Sequence, residues 1–358
     1  MDKKFYSLGL MSGTSMDGID ASIIYSNGVD ILEVVQNKYF KYDDNFINKL
    51  SDLKNKINTS SDLKLCLADL NNLERELTIL HAKFAGDILK DFEKDIDLVG
   101  FHGQTIYHNP DEKISKQLGD GKLLSQLIKK KIVFNFRKND IENNGNGAPL
   151  APIYHSAITK KINKKNIIYL NIGGIANETF IDKNFNISAK DLGPGNCLID
   201  LWIRQNTEKK YDEDGNIAKS GKISKIILEQ SLDIYFNNKI SQKRSYDIND
   251  FDISFFRGLT LEDGAATIIE FTIEIIASKL SSKDIICCGG GRKNKYLIER
   301  LEKKINKKIL NIDEFEIDGD FIESQAFAFL AIRSFLNLPI SFPMTTGCNK
   351  DTIGGEII

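Results

Sequence analysis

Apolar runs and turns alternate quickly at the start of the chain. Phe5 to Met11 reads as a buried strand and Ala21 to Tyr25 as a second. After the turn Ser26-Asn27-Gly28, Val29 to Phe40 reads as a third. The period then lengthens: apolar positions recur at helical spacing from Asp43 to Lys56, and from Asp62 to Phe92 behind the cap-like Ser60-Ser61. Short strands are expected at Leu98 to Phe101 and Ile132 to Phe136, and Gly145 to Pro152 has the punctuation of a domain crossover. The second half opens with a β-branched strand, Ile167 to Ile172, and a hairpin through Ile181. Helical patterning covers Leu198 to Arg204, Lys222 to Tyr235, Leu261 to Leu280 and Glu323 to Leu336, and the apolar strand Ile285 to Cys288 runs into glycines. Each half thus begins with strands around a glycine-rich turn. That echo predicts two α/β lobes, residues 1–145 and 146–358, with the final segment free to pack back at the lobe interface.

Charge and composition narrow the picture. Lys and Arg total 48 against 50 Asp and Glu, a net charge of −2, so nothing points to a nucleic-acid backbone or an anionic membrane as partner. No apolar run approaches the ~20 residues of a membrane span. Five cysteines in no framework spacing point to reduced thiols in the cytoplasm. The histidines at 81, 102, 108 and 155 fall in no zinc-ligand spacing.

Several polar clusters follow strands. Gly13-Thr14-Ser15-Met16-Asp17-Gly18-Ile19-Asp20 lies between two of them. Its glycines permit backbone approach to a ligand, Thr14 and Ser15 offer hydroxyls and N–H groups to phosphate oxygens, and Asp17 and Asp20 suit Mg²⁺ directly or through water. A ligand-free hairpin turn uses the same residues. No GxxxxGK[ST] or GxGxxG pattern is present, which disfavours a P-loop or a dinucleotide fold. Asp191, before Gly193-Pro194-Gly195-Asn196, is placed either as a general base or as a turn former. His102 and Gln104 can bond sugar hydroxyls or an amide, or serve structure. Arg137 can bind a substrate carboxylate or pair with Asp140. Gly289-Gly290-Gly291 can lie against a nucleobase or ribose, and Glu323 opens a helix where a charge is common in any case.

These blocks, in order, resemble the anhydro-N-acetylmuramic acid kinases. The likeness runs through Gly13 to Asp20, His102 to Thr105, Gln117 to Gly121, Asn135 to Arg137 with Asp140, and Gly147 to Leu150. It continues through Asn171 to Asn177, Asp191 to Asn196, Asp214-Gly215, Gly289 to Gly291 with Asn294, and Glu323 with Ala326 to Ala328. The resemblance implies a two-lobed α/β ATPase fold of the actin, Hsp70 and sugar-kinase class, ribonuclease H-like, with a central cleft. It implies a cytoplasmic kinase of peptidoglycan recycling and amino-sugar catabolism that uses ATP and Mg²⁺. That kinase opens a small-molecule anhydro amino sugar with water and phosphorylates its 6-oxygen. Gly13 to Asp20, Gly173, Gly174 and Gly289 to Gly291 would hold the nucleotide. His102, Gln104, Arg137, Asp140, Gly193, Asn196 and Glu323 would hold the sugar, and Asp191 would activate water. Lys243-Arg244-Ser245-Tyr246-Asp247 does not reproduce the family's segment near that place. A kinase of the same fold for another sugar, or a nucleotide-switch ATPase, is the alternative. A homodimer is left open.

Overall fold

Phe5–Ser12 (β1) and Gly18–Ser26 (β2) pair antiparallel, and Leu32–Lys41 (β3) adds antiparallel to β2. The β2–β3 turn closes on Asn27, whose Oδ1 accepts the N–H groups of Val29, Asp30 and Ile31. In the computed structural model, which describes residues 3–13, 15–238, 241, 246–281 and 283–358, two compact units emerge. Thr14 and Lys243, Arg244 and Ser245 of the motifs above lie outside the described residues.

The first unit comprises the chain through Asn163 together with Phe321–Ile358. Leu98–Asn109 (β4) joins β1 in parallel, Ile132–Phe134 (β6) joins β4 in parallel, and Ile114–Leu118 (β5) folds back antiparallel on β4. A parallel neighbour needs a long crossover, and the helices Asp44–Lys56, Ser60–Leu65 and Leu67–Lys90 supply it. Leu8, Leu10, Ile19 and Ile23 from the sheet bury against Leu70, Leu73 and Leu77 of that crossover. The helix Ile322–Phe335 packs the opposite face, where Met11 meets Phe327 and Leu330. Two glycines allow this approach: a Cβ at Gly9 would stand 1.9 Å from the Ser324 carbonyl oxygen, and one at Gly100 2.2 Å from that of Phe327.

The second unit is Lys164–Asp320. Ile167–Ile172 (β7), Ile175–Ile181 (β8) and Ile187–Pro194 (β9) form an antiparallel meander. Asp284–Cys288 (β10) joins β7 in parallel and Ile309–Asn311 (β11) joins β10 in parallel. The helix Leu261–Lys279 is buried along most of its length, with Gly264 fitted against the Trp202 indole. The order β9-β8-β7-β10-β11 repeats β3-β2-β1-β4-β6 strand for strand. A meander extended by parallel strands, built twice, is the ribonuclease H-like plan of the actin, Hsp70 and sugar-kinase class.

Some expectations shift. The unit boundary is not at 145/146. Gly145 to Pro152 leads into the helix Pro152–Lys161, whose Tyr154, Ala157 and Ile158 are buried within the first unit, so the chain leaves only after Asn163. It returns at Phe321, because Ile322–Phe335 packs on β1 and β4 and Glu356–Ile357 pairs with β6. The cap at 60–61 is instead Thr59 with Asp62, and Cys66 interrupts the long helix. β4 runs past Phe101 to Asn109 because β5 covers its polar half. Among the described residues no helix is long and apolar enough to cross a membrane.

Candidate active site

The first unit carries the hairpin between β1 and β2. The Ser12 hydroxyl lies 2.7 Å from Gln104 Oε1 and 3.0 Å from the Gly18 carbonyl, and accepts from the Tyr42 hydroxyl at 3.1 Å. Gln104 is buried, and its amide also donates to the Thr105 carbonyl at 3.3 Å. It therefore braces the hairpin from β4. Within the turn, Met16 N–H donates to the Gly13 carbonyl at 3.1 Å, and Ser15 donates to Asp17 Oδ1 at 2.5 Å. The Asp17 carbonyl accepts Tyr42 N–H at 2.9 Å and the Tyr39 hydroxyl at 3.1 Å. Burial pushes the Tyr39 phenol up to about 12, and the negative charges of Asp17 and Asp20 add to the shift. A Cβ at Gly13 would meet nothing within 4 Å, so the main chain there is open to a ligand, whereas a Cβ at Gly18 would stand 2.5 Å from the Phe40 carbonyl oxygen and from the Tyr39 ring. Ile19 offers only its backbone, because its side chain is fully buried in the core.

Asp17 and Asp20 each stand near enough to Tyr39 for their charge to act on it. Among the described residues no group of three or more His, Cys, Asp or Glu could hold a metal ion. Two carboxylates without a full protein cage suit Mg²⁺, which keeps several waters and takes substrate phosphate oxygens.

β4 and the turn after β6 place the polar side chains. His102 is buried, and its Nδ1 pairs with the Gly103 carbonyl at 2.9 Å. That carbonyl accepts, so Nδ1 carries the proton and Nε2 accepts from Arg137 Nε at 3.2 Å and Nη2 at 3.0 Å. Burial and then the Arg137 charge hold the His102 pKa well below the ordinary value. Arg137 Nη1 donates to the Gly147 carbonyl at 2.7 Å. Among the described residues these bonds leave one N–H on each η nitrogen of Arg137, donors that suit a carboxylate. The protein around Glu323 pushes its carboxyl pKa up and Arg137 offsets part of that push, although its outer face stays open to water.

Asp140 behaves differently from both sequence readings. It is fully buried and makes no hydrogen bond to Arg137. Its Oδ2 accepts Gly147 N–H and its Oδ1 accepts the Thr346 hydroxyl, each at 2.6 Å. Both oxygens are committed to the scaffold, so Asp140 is not placed to touch a sugar.

In the second unit glycine turns close the carboxyl ends of the parallel strands. Gly173-Gly174 follows β7, and their carbonyls accept Asn196 N–H at 2.7 Å and Gly195 N–H at 2.9 Å. A Cβ at Gly195 would lie 2.3 Å from the Gly173 carbonyl oxygen. Gly289, after β10, has φ +77°, and a Cβ there would lie 2.3 Å from Asn171 Oδ1. Gly291 presses on Ile172, while Gly290 meets only Asn196 Nδ2, 3.8 Å away. Asn196 Nδ2 donates to the Ile172 carbonyl at 3.3 Å. Gly193 packs where its Cβ would stand 2.5 Å from Ile275.

Asp191 lies inside β9 rather than at its end, paired with Asn177 in the register. Tyr246 N–H donates to its Oδ2 at 2.9 Å. The Tyr246 hydroxyl is 2.7 Å from Lys279 Nζ and 3.1 Å from the Tyr235 hydroxyl. Tyr246 and Lys279 carry no local motif, and neither do Tyr42 and Thr346. Only their contacts across the fold reveal them.

The model of the family described as anhydro-N-acetylmuramic acid kinase matches residues 5–358. A Pelagibacter ubique protein of that name is 51% identical, with 100% of this chain and 99% of the relative covered. An Agrobacterium fabrum protein of the same name is 34% identical, with 98% of each covered. A solved structure, the activator of the 2-hydroxyisocaproyl-CoA dehydratase from Clostridium difficile with bound ADPNP, is 14% identical with a TM-score of 0.43. It covers 93% of this chain and 96% of its own.

Proposed function

The chain belongs to the anhydro-N-acetylmuramic acid kinase family, and we propose that it opens 1,6-anhydro-N-acetylmuramic acid with water and phosphorylates the freed 6-oxygen from ATP. The observation that supports this substrate most is the pair of η N–H groups on Arg137, backed by neutral His102 and standing beside Glu323. A muramic acid carries a lactyl carboxylate that such a pair can bind in bidentate fashion. Glu323 is left to meet a hydroxyl or an amide of the same sugar.

The step balances simply. Asp191 takes a proton from water as the water oxygen bonds to the anomeric carbon. The bond from that carbon to the bridge oxygen breaks, and the oxygen stays on C6. It bonds to the γ-phosphorus as the bond to the β–γ bridging oxygen breaks, and ADP leaves. The hydrogen bond from Tyr246 N–H orients Asp191 and favours its charged form. Within Gly13 to Asp20, the main chain at Gly13 is open to phosphate oxygens, and Asp17 and Asp20 would hold Mg²⁺. That ion, when bound, neutralises charge on the transferring phosphoryl group. Gly173, Gly174 and Gly289 to Gly291 take the adenosine end. The protein acts in the cytoplasm, in recovery of cell-wall sugar, on a small molecule and on no nucleic acid or membrane.

The test is direct. With the anhydro sugar, ATP and Mg²⁺ together, NMR should identify N-acetylmuramic acid 6-phosphate, and omission of ATP or Mg²⁺ should abolish it. ATP hydrolysis indifferent to the sugar, with no phosphosugar formed, would instead identify a nucleotide-switch ATPase.

A further inference from the structure

The Arg137 guanidinium is held partly by a carbonyl, and that carbonyl is itself held from the far end of the chain. Gly147 has φ +71° and presents its carbonyl to Arg137 Nη1 at 2.7 Å. Its N–H is fixed by Asp140 Oδ2 at 2.6 Å. The second oxygen of that carboxylate is fixed by the Thr346 hydroxyl, also at 2.6 Å, across 206 residues of sequence. Thr346 closes the ring with its own carbonyl, which accepts Asn146 N–H at 2.8 Å. Asn349 N–H adds a bond to the Asn143 carbonyl at 3.0 Å. Gly145 makes room, since a Cβ there would stand 2.2 Å from Asp140 Oδ2.

Asp140 and Thr346 are 0% and 1% exposed, so water cannot replace a lost partner. Asp140 keeps its two oxygens on Gly147 and Thr346 although Arg137 is near enough to feel its charge. We propose that Thr346 is a positioning residue for sugar binding: through Asp140 it sets the Gly147 carbonyl, and so the direction in which Arg137 presents its remaining N–H groups. The proposal rests on the reading of Arg137 as the seat of the sugar carboxylate. A residue of the C-terminal tail then tunes the sugar side of the reaction, while the β1–β2 turn that takes phosphate is untouched.

Steady-state kinetics on the full chain tests it, with the anhydro sugar and Mg-ATP each varied. Thr346→Val keeps the shape and removes the hydroxyl, leaving a buried carboxylate oxygen without its donor. The KM for the sugar should rise about tenfold, the size of losing a hydrogen bond to a charged group, with the KM for ATP within about twofold of wild type. Thr346→Ser restores the hydroxyl and should restore the sugar KM. A folded Thr346→Val with an unchanged sugar KM, or with both KM values raised together, overturns the proposal. So does a Thr346→Ser variant as impaired as Thr346→Val, since that pattern belongs to packing.

Should Thr346→Val fail to fold, Asp140→Asn serves. Its amide can accept from Gly147 and donate to Thr346, but both hydrogen bonds lose their charge assistance and hold the Gly147 carbonyl less firmly. A rise in sugar KM of about threefold or more is expected, and no rise overturns the proposal. Arg137→Gln separates the two levels. If it leaves the sugar KM unchanged, the seat itself is misassigned. If it raises the sugar KM while Thr346→Val does not, only the positioning role fails.

Discussion

The first unit holds the polar residues of its candidate site by side chains, and the second holds its Gly173-Gly174 turn chiefly by main chain. His102 takes hydrogen bonds from Arg137, Ser12 meets Gln104, and Asp140 meets Thr346. At the turn after β7 the bonds run from Gly195 and Asn196 N–H to the carbonyls of Gly174 and Gly173, and Gly195, Gly289 and Gly291 sit where no Cβ fits. The strand order is the same in both units, so topology does not account for the difference. A sheet end made of buried side chains depends on distant partners and on protonation. One made of close main chain depends on the absence of a side chain. The two units should therefore break in different ways.

The largest effect is expected where the second unit departs from its own rule, at Asp191. Asp191→Asn should lower turnover by roughly 10²- to 10⁴-fold, the usual contribution of a positioned base. Folding and ATP affinity should hold, because the amide oxygen can still accept Tyr246 N–H. In ¹⁸O-labelled water the label should enter the anomeric hydroxyl and stay out of the transferred phosphate. Near-normal turnover of Asp191→Asn would reduce the second unit to a main-chain scaffold and pass the proton to Glu323.

A pair of glycines sharpens the contrast. Gly289→Ala forces a Cβ to within 2.3 Å of Asn171 Oδ1 at φ +77°, and should destabilise the protein by about 1–3 kcal/mol. The Cβ of Gly13→Val would meet nothing within 4 Å, so stability should stay within about 0.5 kcal/mol of wild type. ATP binding by Gly13→Val should nonetheless weaken by roughly 1–3 kcal/mol, since the branched side chain fills the space phosphate needs. Thermal unfolding and calorimetry read the two quantities apart. Unchanged ATP affinity in a folded Gly13→Val would remove the turn from the nucleotide site.

The same contrast explains what the sequence reveals. The β1–β2 turn and the glycine turns after β7 and β10 are legible because glycines between apolar strands are a local signal. The buried half of β4 is not, because His102, Gly103 and Gln104 read as the end of a strand. Their burial is compensated by Ser12, Arg137 and the edge strand β5, which no local window contains. A spacing of three residues suggests the pairing of Asp140 with Arg137, yet its partners are Gly147 and Thr346. The unit boundary is hidden for a similar reason. The apolar face of Ile322–Phe335 says only that the helix is buried, and glycines at 9 and 100 decide against which sheet.

The smallest effect is also the most selective, and it follows from where the histidines fall. All of them, at 81, 102, 108 and 155, precede Lys164, so the second unit contains none. Burial pushes His81 down to about 4 and His155 down to about 3, from an ordinary value of 6.5. His102 is held well below 6.5 by burial and by Arg137. Each folded pKa is depressed, so below pH 6.5 the unfolded chain binds protons that the folded chain refuses. The stability is fully present above about pH 6.5 and is lost as pH falls toward the folded values, by about 1.4 kcal/mol per pH unit for each such histidine. Between pH 7.5 and 6.5 only the upper edge of that window is crossed, so the loss should be modest, roughly 0.3–0.4 kcal/mol for each such histidine. Hydrogen exchange read by mass spectrometry, corrected for intrinsic rates, should show protection falling in the first unit before the second. His81→Gln should flatten the pH slope by about one proton's worth. Protection lost equally from both units, together with an unchanged slope in His81→Gln, would mean that the side-chain-held sheet is no more sensitive to acid than the main-chain-held one.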